Sequence, residues 1–241
     1  MGCFPARCPT PADWAVHLGA MFLITTECGP LQANCYLLAP EEGTECVIID
    51  PGMDAFDPVK SLVNKHGLTP VAVLATHGHF DHIWDSSLVA DHYGIPVWIR
   101  SEDRHLLTDP ASGVSRDLGA WLTAMPGWPL KEAEQIEILD DVDTLDLAGL
   151  SLGVIHAPGH TPGSVLYTLG TQLAFTGDVL FAGSIGRTDM PGGNSRTMST
   201  TLRGPVMSLP DSDRILSGHG PSSTMRVERM TNPYLVASFL G

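Results

Sequence analysis

The chain has little positive charge. Its 241 residues include 13 Lys and Arg against 27 Asp and Glu, which gives a formal net charge of -14. Nucleic-acid binding depends on clustered basic side chains that contact phosphates, so this balance argues against a DNA or RNA partner. We expect a small-molecule partner. An anionic partner would need a local positive charge, from a metal ion or from a few arginines.

Long apolar runs and regularly spaced cysteines are also missing. No stretch approaches the roughly 18 apolar residues of a membrane span, and the N-terminus lacks the pattern of a signal peptide. The five cysteines lie between Cys3 and Cys46 without CxxC spacing. Because their number is odd, we predict reduced thiols. We therefore expect a cytoplasmic protein with no membrane partner, and the sequence leaves its oligomeric state open.

An apolar content of 43% supports a substantial core. Short β-branched runs, each closed by a turn signal, predict buried strands at NCYLLA, CVIIDPG, VAVLATH, VWIR, LSLGVIHAPG, SVLYTL, QLAFTGD and RILSGHG. Amphipathic segments predict helices over Asp57–His66, Ile83–His92 and Thr197–Leu209. This mixture predicts one layered α/β domain over residues 21–241, preceded by a disordered extension over residues 1–20.

Residues 101–135 have weaker periodicity than the rest of the chain. This segment contains two tryptophans, Trp121 and Trp128, that we expect to be exposed. We interpret it as an insertion and a candidate lid.

Histidine and aspartate are concentrated in THGHFDH, residues 76–82. Three more such residues follow predicted strands, where α/β sheets gather their sites. Imidazole and carboxylate suit zinc, iron or manganese, and a set without thiolate favours an open catalytic site. The candidate ligands are His77, His79, Asp81, His82, His160, Asp178 and His219, enough for two metal ions with Asp178 as the bridge. The remaining histidines, His17, His66, His92, His105 and His156, lack partners at ligand spacing and are predicted not to bind metal.

THGHFDH, APGHTPGS, FTGDVLFAGSIGRTD and LSGHGP, in this order, resemble the metallo-β-lactamase-fold hydrolases, and within them the glyoxalase II (hydroxyacylglutathione hydrolase) branch. The resemblance covers about residues 21–235 and implies an αββα sandwich with a dinuclear metal site at one edge. It implies a first metal held by His77, His79 and His160, a second held by Asp81, His82 and His219, and Asp178 between them.

Asp50 of IIDPG matches an aspartate that lies behind the ligands in this family. A carboxylate at a strand end can accept the remaining ring N–H of a ligating histidine. The alternative is that Asp50 only forms the turn before Pro-Gly.

Two divalent ions, zinc first and iron or manganese as alternatives, would hold a hydroxide as nucleophile and polarise a carbonyl. A thiol with a pKa near 8.5 leaves as thiolate without a protonating acid, whereas an amine needs one. We therefore predict hydrolysis of a 2-hydroxyacyl thioester, such as S-lactoylglutathione, to the hydroxy acid and the thiol. Asp81 and Asp178 are the predicted catalytic carboxylates.

Substrate recognition is predicted to involve Arg187 of GSIGRTD, which matches a basic residue that meets the thiol portion of the substrate in glyoxalase II enzymes. Its alternative is an ion pair with Asp189 that stiffens the loop. Only 22 residues follow His219, so the chain resembles a short type without the C-terminal helical domain. Arg226 and Arg229 either replace that domain's contacts or lie on a solvated helix face.

A second enzyme class resembles the chain as well. Persulfide dioxygenases bind one iron through two histidines and one aspartate, which here would be His77, His160 and Asp178. A β-lactamase is a weaker alternative, because amide cleavage needs help for the leaving group. A metal-binding module without turnover is a third.

Overall fold

Two β-sheets pack face to face, with helices on their outer surfaces, in the computed structural model, which describes residues 14–17, 21–125 and 128–236. This arrangement confirms the predicted αββα sandwich. Among the described residues, no helix combines the length and the apolar character that crossing a membrane requires.

The first sheet has seven strands in chain order. They are β1 (Trp14–His17), β2 (Phe22–Cys28), β3 (Ala33–Ala39), β4 (Glu45–Ile49), β5 (Thr69–Leu74), β6 (Val97–Ile99) and β7 (Ile136–Ile138). Strands β1 to β4 pair antiparallel, and β4 to β7 pair parallel.

The second sheet has six strands. They are β8 (Thr144–Leu147), β9 (Leu150–His156), β10 (Val165–Leu169), β11 (Leu173–Gly177), β12 (Arg214–Ser217) and β13 (Ser223–Thr224). Their order across the sheet is β13-β12-β11-β10-β9-β8, and β11 and β12 are the parallel pair.

The helices are α1 (Phe56–His66), α2 (Phe80–Ile83), α3 (Ser86–Tyr93), α4 (Ser101–Arg104), α5 (Arg116–Thr123), α6 (Ser195–Thr201) and α7 (Met225–Thr231). Short 3-10 turns span His105–Leu107 and Pro110–Gly113, and a π-helical turn, Leu202–Val206, extends α6. The first predicted helix matches α1. The second is divided, because Asp85 leaves the helical conformation and its carboxylate accepts the backbone N–H of Phe56 at 2.9 Å.

The apolar runs are continuous because both faces of the central strands are covered. In β3, Leu37 packs under the helices while Leu38 packs between the sheets, and both are fully buried. Tyr167 and Phe175 of the second sheet fill the same space between the sheets.

Two sequence expectations differ from the structure, namely disorder throughout residues 1–20 and exposure of Trp128. Trp14–His17, inside the predicted disordered extension, pairs antiparallel with β2 and forms the edge strand of the first sheet. The other residues of that extension lie outside the described ranges. Residues 101–135 are largely helical, and Leu122 of α5 is fully buried against Phe80. Trp121 is 44% exposed, whereas Trp128 is half-buried.

The parallel strand pairs place their carboxyl ends at one edge of the sandwich. Asp50 directly follows β4, His77 lies three residues after the end of β5, and Asp178 directly follows β11. Hydrogen bonds connect the two sheets at this edge. The backbone N–H of Val165 donates to the carbonyl of Thr76 at 2.8 Å. The Tyr36 hydroxyl likewise donates to the Ser217 carbonyl at 2.6 Å.

Candidate metal centre

All seven predicted ligands meet at this edge. The first group consists of His77, His79 and His160, which are 1%, 6% and 2% exposed. Nδ1 of His79 lies 2.8 Å from Nε2 of His160. The ring centre of His77 lies 5.0 Å from that of His79 and 4.8 Å from that of His160. One ligand atom from each ring lies within 4.8 Å of the others, a separation that a single ion can span.

The second group consists of Asp81, His82 and His219. Asp81 and His82 share the single turn of α2, which begins directly after His79 in extended conformation. Nε2 of His219 lies 3.1 Å from Oδ2 of Asp81 and 3.2 Å from Nε2 of His82. These atoms also converge closely enough for one ion.

Asp178 lies between the two groups. Its Oδ1 is 3.4 Å from Nε2 of His82, and its Oδ2 is 3.5 Å from Nε2 of His160 and 3.7 Å from Nε2 of His219. The carboxylate therefore contacts a ring of each group. A bridging ligand would need this position.

Hydrogen bonds on the far side of the rings fix which nitrogens face the centre. Nδ1 of His160 lies 2.7 Å from the Arg187 carbonyl, and Nδ1 of His219 lies 3.1 Å from the Leu31 carbonyl. Nδ1 of His82 lies 3.1 Å from Oδ2 of Asp50. Because these oxygens only accept, each Nδ1 carries the proton, and in the neutral ring Nε2 keeps its lone pair. The three lone pairs point into the cluster, as metal ligation requires.

His77 is oriented through a relay. Asp50 accepts the hydroxyl of Thr76 at 2.6 Å and the backbone N–H of Thr76 at 2.7 Å. Since the hydroxyl proton is used there, the Thr76 oxygen accepts from Nδ1 of His77 at 3.1 Å. Asp50 thus supports His82 directly and His77 through Thr76.

The donor set fits divalent metal ions. Nε2 of His77 and Oδ1 of Asp178 are buried without a hydrogen-bond partner among the described residues. Leaving such atoms unpaired costs about 1–3 kcal/mol each. Ligation would remove that cost, and histidine with carboxylate is the set expected for zinc, iron or manganese.

The electrostatics of the cluster favour added positive charge. Burial lowers the pKa of His79 and of His160 to about 4, so these rings are neutral near pH 7. Burial opposes the charge on His82, but the carboxylates of Asp81 and Asp178 raise its pKa to about 10. Burial raises the pKa of Asp178 itself. Without a metal, His82 therefore carries a proton near pH 7, at a position where the neighbouring carboxylates favour positive charge.

Arg187 is paired with Asp189 through two hydrogen bonds of 2.7 Å, and both side chains are exposed. Its backbone carbonyl accepts from His160. The four described histidines outside the cluster have other surroundings. His66 contacts Glu42, His92 packs on Phe56, His156 contacts the Pro162 carbonyl, and His105 is exposed, whereas the side chain of His17 lies outside the described part of the chain.

Sequence reasoning missed two residues that support the site, Thr76 and Asp103. Thr76 precedes the first motif histidine, and its hydroxyl offered a local signal. Asp103 lies in the segment interpreted as an insertion, and nothing near it in sequence indicates its contacts.

A cavity of about 180 Å³ borders the first group. A side chain at Gly113, which lines it, would come within 3.5 Å of the His79 ring. The other lining residues are Asp103, His105, Leu106, Ser112, Thr161, Pro162, Pro191 and Gly192.

The model of the metallo-beta-lactamase superfamily matches residues 28–219. The chain therefore belongs to this superfamily.

Several curated proteins are similar over most of their length. An uncharacterized protein of Mycobacterium leprae is 43% identical over 86% of this chain and 95% of its own. The probable metallo-hydrolase YqgX of Bacillus subtilis is 37% identical over 86% and 94%. The hydroxyacylglutathione hydrolase GloC of Haemophilus influenzae is 33% identical over 85% and 93%. These relatives support a metal-dependent hydrolase.

Three solved structures are similar as well. BLEG-1 B3 metallo-beta-lactamase has a TM-score of 0.78 at 36% identity, covering 89% of this chain and 100% of that one. TTHA1623 in a di-iron-bound form has a TM-score of 0.71 at 35% identity, covering 88% and 99%. ETHE1 from Myxococcus xanthus has a TM-score of 0.69 at 25% identity, covering 88% and 83%.

Proposed function

We propose that this hydrolase cleaves 2-hydroxyacyl thioesters, such as S-lactoylglutathione, at a two-metal site. The observation that carries the proposal is the position of the Asp178 carboxylate, which contacts a ring of each ligand group. A single-metal enzyme would not need a second complete set of ligands beside the first.

His77, His79 and His160 would hold the first ion, and Asp81, His82 and His219 the second, with the Asp178 carboxylate shared between them. Two divalent ions bound there would supply a nucleophile from water at neutral pH and would polarise a substrate carbonyl. Zinc is our first choice, and the similar structure of TTHA1623 in a di-iron form makes iron the main alternative.

The protein's own part is to hold these ligands before substrate arrives. Asp50 and Thr76 fix the rings of His82 and His77, and the Arg187 carbonyl fixes His160. Rigid ligands spare the enzyme reorganisation during the reaction, which is where electrostatic catalysis gains most. The site lies at the sheet edge and reaches the surface at His219, whose side chain is 27% exposed, whereas the side chains of Asp81 and Asp178 are 12% exposed.

The proposed substrate class, thioesters, is argued from the chemistry of the leaving group. A thiolate departs without a protonating acid, and we assign no additional side chain of the cluster to that role. The name of the similar GloC protein, a hydroxyacylglutathione hydrolase, supports the same class. Arg187 is the proposed contact for the thiol portion. Its side chain is 58% exposed and is paired with Asp189, which is 69% exposed, so the guanidinium lies at the surface.

A mononuclear iron persulfide dioxygenase is the second candidate. Its triad would be His77, His160 and Asp178, and these side chains also lie together, with Oδ2 of Asp178 3.5 Å from Nε2 of His160. It is second because His79, Asp81, His82 and His219 would converge beside the iron without a role.

The two candidates are separated by metal analysis of the purified protein with two parallel assays. We expect two equivalents of metal per chain, release of thiol from S-lactoylglutathione, and no oxygen uptake with glutathione persulfide. One equivalent of iron with oxygen uptake and no thioester cleavage would establish the dioxygenase instead.

A further inference from the structure

We propose that Asp103 is a positioning residue that fixes the first ligand group of the centre. This inference rests on the proposed two-metal site. Asp103 lies on α4, inside the segment that sequence patterns suggested was an insertion, and it is fully buried.

The Asp103 carboxylate joins the two loops that carry the first group. Its Oδ2 accepts the backbone N–H of Gly78 at 2.8 Å, and Gly78 lies between His77 and His79. The same oxygen accepts the hydroxyl of Thr161 at 2.6 Å, and Thr161 follows His160 directly. Three donors reach the carboxylate in all, because Oδ1 accepts the backbone N–H of Gly163 at 2.9 Å.

The glycines of both motifs leave room for this carboxylate. A side chain at Gly78 would start 2.9 Å from Cβ of Asp103, and one at Gly163 would start 2.6 Å from its Cγ. Both contacts are closer than two carbon atoms allow. The approach of Asp103 therefore explains the second glycine of GHTPG, and it explains the glycine of HGH together with Leu106, whose Cδ1 would lie 2.6 Å from a Cβ at Gly78.

A carboxylate is needed rather than a neutral amide. Hydrogen bonds to an ionised acceptor are roughly twice as strong as neutral ones. In Asp103→Asn the amide nitrogen faces the N–H of Gly78 in one orientation and the N–H of Gly163 in the other. One buried backbone donor therefore loses its acceptor, and one loop is released.

The second ligand group is supported elsewhere. Nδ1 of His82 is held by Asp50, and Nδ1 of His219 by the Leu31 carbonyl. Loss of the Asp103 contacts should therefore weaken the first site much more than the second. A residue that only stabilises the fold would not separate the two sites.

The test measures zinc affinity of the full chain by competition with a chromophoric chelator. Asp103→Asn is combined with His219→Ala in one double variant, in which only the first site is intact. In a second double variant it is combined with His79→Ala, in which only the second site is intact. Asp109→Asn, the same change at an exposed residue of the same segment, is the matched control. We expect about a 10- to 100-fold loss at the first site, as for residues that orient metal ligands, and less than about threefold at the second.

Equal affinity of Asp103→Asn and Asp109→Asn at the first site would overturn the inference, and so would an equal loss at both sites. If the unsubstituted chain binds no zinc, manganese or iron, the proposed metal centre falls, and this inference falls with it. Binding by the unsubstituted chain with no selective loss counts against Asp103 alone.

A second pair of variants covers the case in which Asp103→Asn does not fold. Thr161→Val removes one hydroxyl donor with little change in shape, and Thr161→Ser restores it. We expect about a fivefold loss of zinc affinity at the first site in the valine variant, the equivalent of one hydrogen bond, and recovery in the serine variant. Unchanged affinity in Thr161→Val would contradict the inference.

Discussion

Nδ1 of His79 lies 2.8 Å from Nε2 of His160, although the two residues are 81 positions apart in the chain. The other nitrogen of His160 donates to the Arg187 carbonyl, so Nε2 of the neutral ring offers a lone pair to His79. Burial keeps both rings neutral near pH 7. Either Nδ1 of His79 donates its proton to Nε2 of His160, or both nitrogens present their lone pairs to one cation. The proposed activity depends on the bound cation.

Replacing Asp178 by Asn tests the bridge. The amide keeps the shape but removes the negative charge that would balance two ions. We expect bound zinc to fall from two equivalents to about one, and thioester hydrolysis to fall about 10²- to 10³-fold, the equivalent of several kcal/mol. Both are measured on purified protein. Asp146→Asn, at an exposed position of β8, should leave both values unchanged. Two equivalents of zinc in Asp178→Asn would argue against a bridging role.

Gly52 allows the turn after β4 to approach the metal ligands. A Cβ at this position would overlap the carbonyl oxygen of Asp81. We expect Gly52→Ala to lose about 1–3 kcal/mol of unfolding free energy, as overpacked sites do, measured by urea denaturation of the metal-free protein. Gly204→Ala is the control, because no described residue beyond its own helix lies within 4 Å of its Cβ position. It should be neutral or stabilising by less than about 1 kcal/mol. Equal stability of the two variants would contradict this packing.

Much of the fold and the site could be predicted from the sequence, because their signals are local. Strand ends marked by Gly and Pro predicted where His77, His160 and Asp178 lie, and the strand and helix pattern predicted a layered α/β domain. The αββα sandwich itself was implied by the family resemblance. Asp103 could not be found in this way, since its three contacts come from residues 25 to 60 positions away. The break between α2 and α3 depends on Asp85 capping α1, which is also a distant contact.

Metal-free protein should lose stability in acid because of His79 and His160. Burial lowers both pKa values to about 4, whereas the unfolded rings titrate near 6.5. Their contribution is therefore fully present above pH 6.5 and is lost as the pH falls towards 4. Unfolding free energies at pH 7, 6 and 5 in the presence of a chelator should fall less steeply in His160→Asn than in the parent chain. His105→Asn, at an exposed ring, should keep the parent slope. Parallel curves for all three would contradict the assignment.

Arg187 is expected to contribute to substrate binding and not to chemistry. For S-lactoylglutathione, Arg187→Gln should raise KM about two- to fivefold with kcat unchanged, the range of an exposed charge contact. Asp189→Asn frees the guanidinium from its present pair and should leave KM equal or lower. Steady-state kinetics at low salt measures both. An unchanged KM in Arg187→Gln would mean that the arginine only stiffens its loop.

The central claim, that seven side chains hold two ions across one carboxylate, is tested most directly by anomalous diffraction from crystals of the metal-loaded protein. We predict two anomalous peaks about 3.5–4 Å apart, the usual separation in two-metal sites, one on each side of Asp178. A single peak against His77, His160 and Asp178, or a second peak away from His82 and His219, would contradict it.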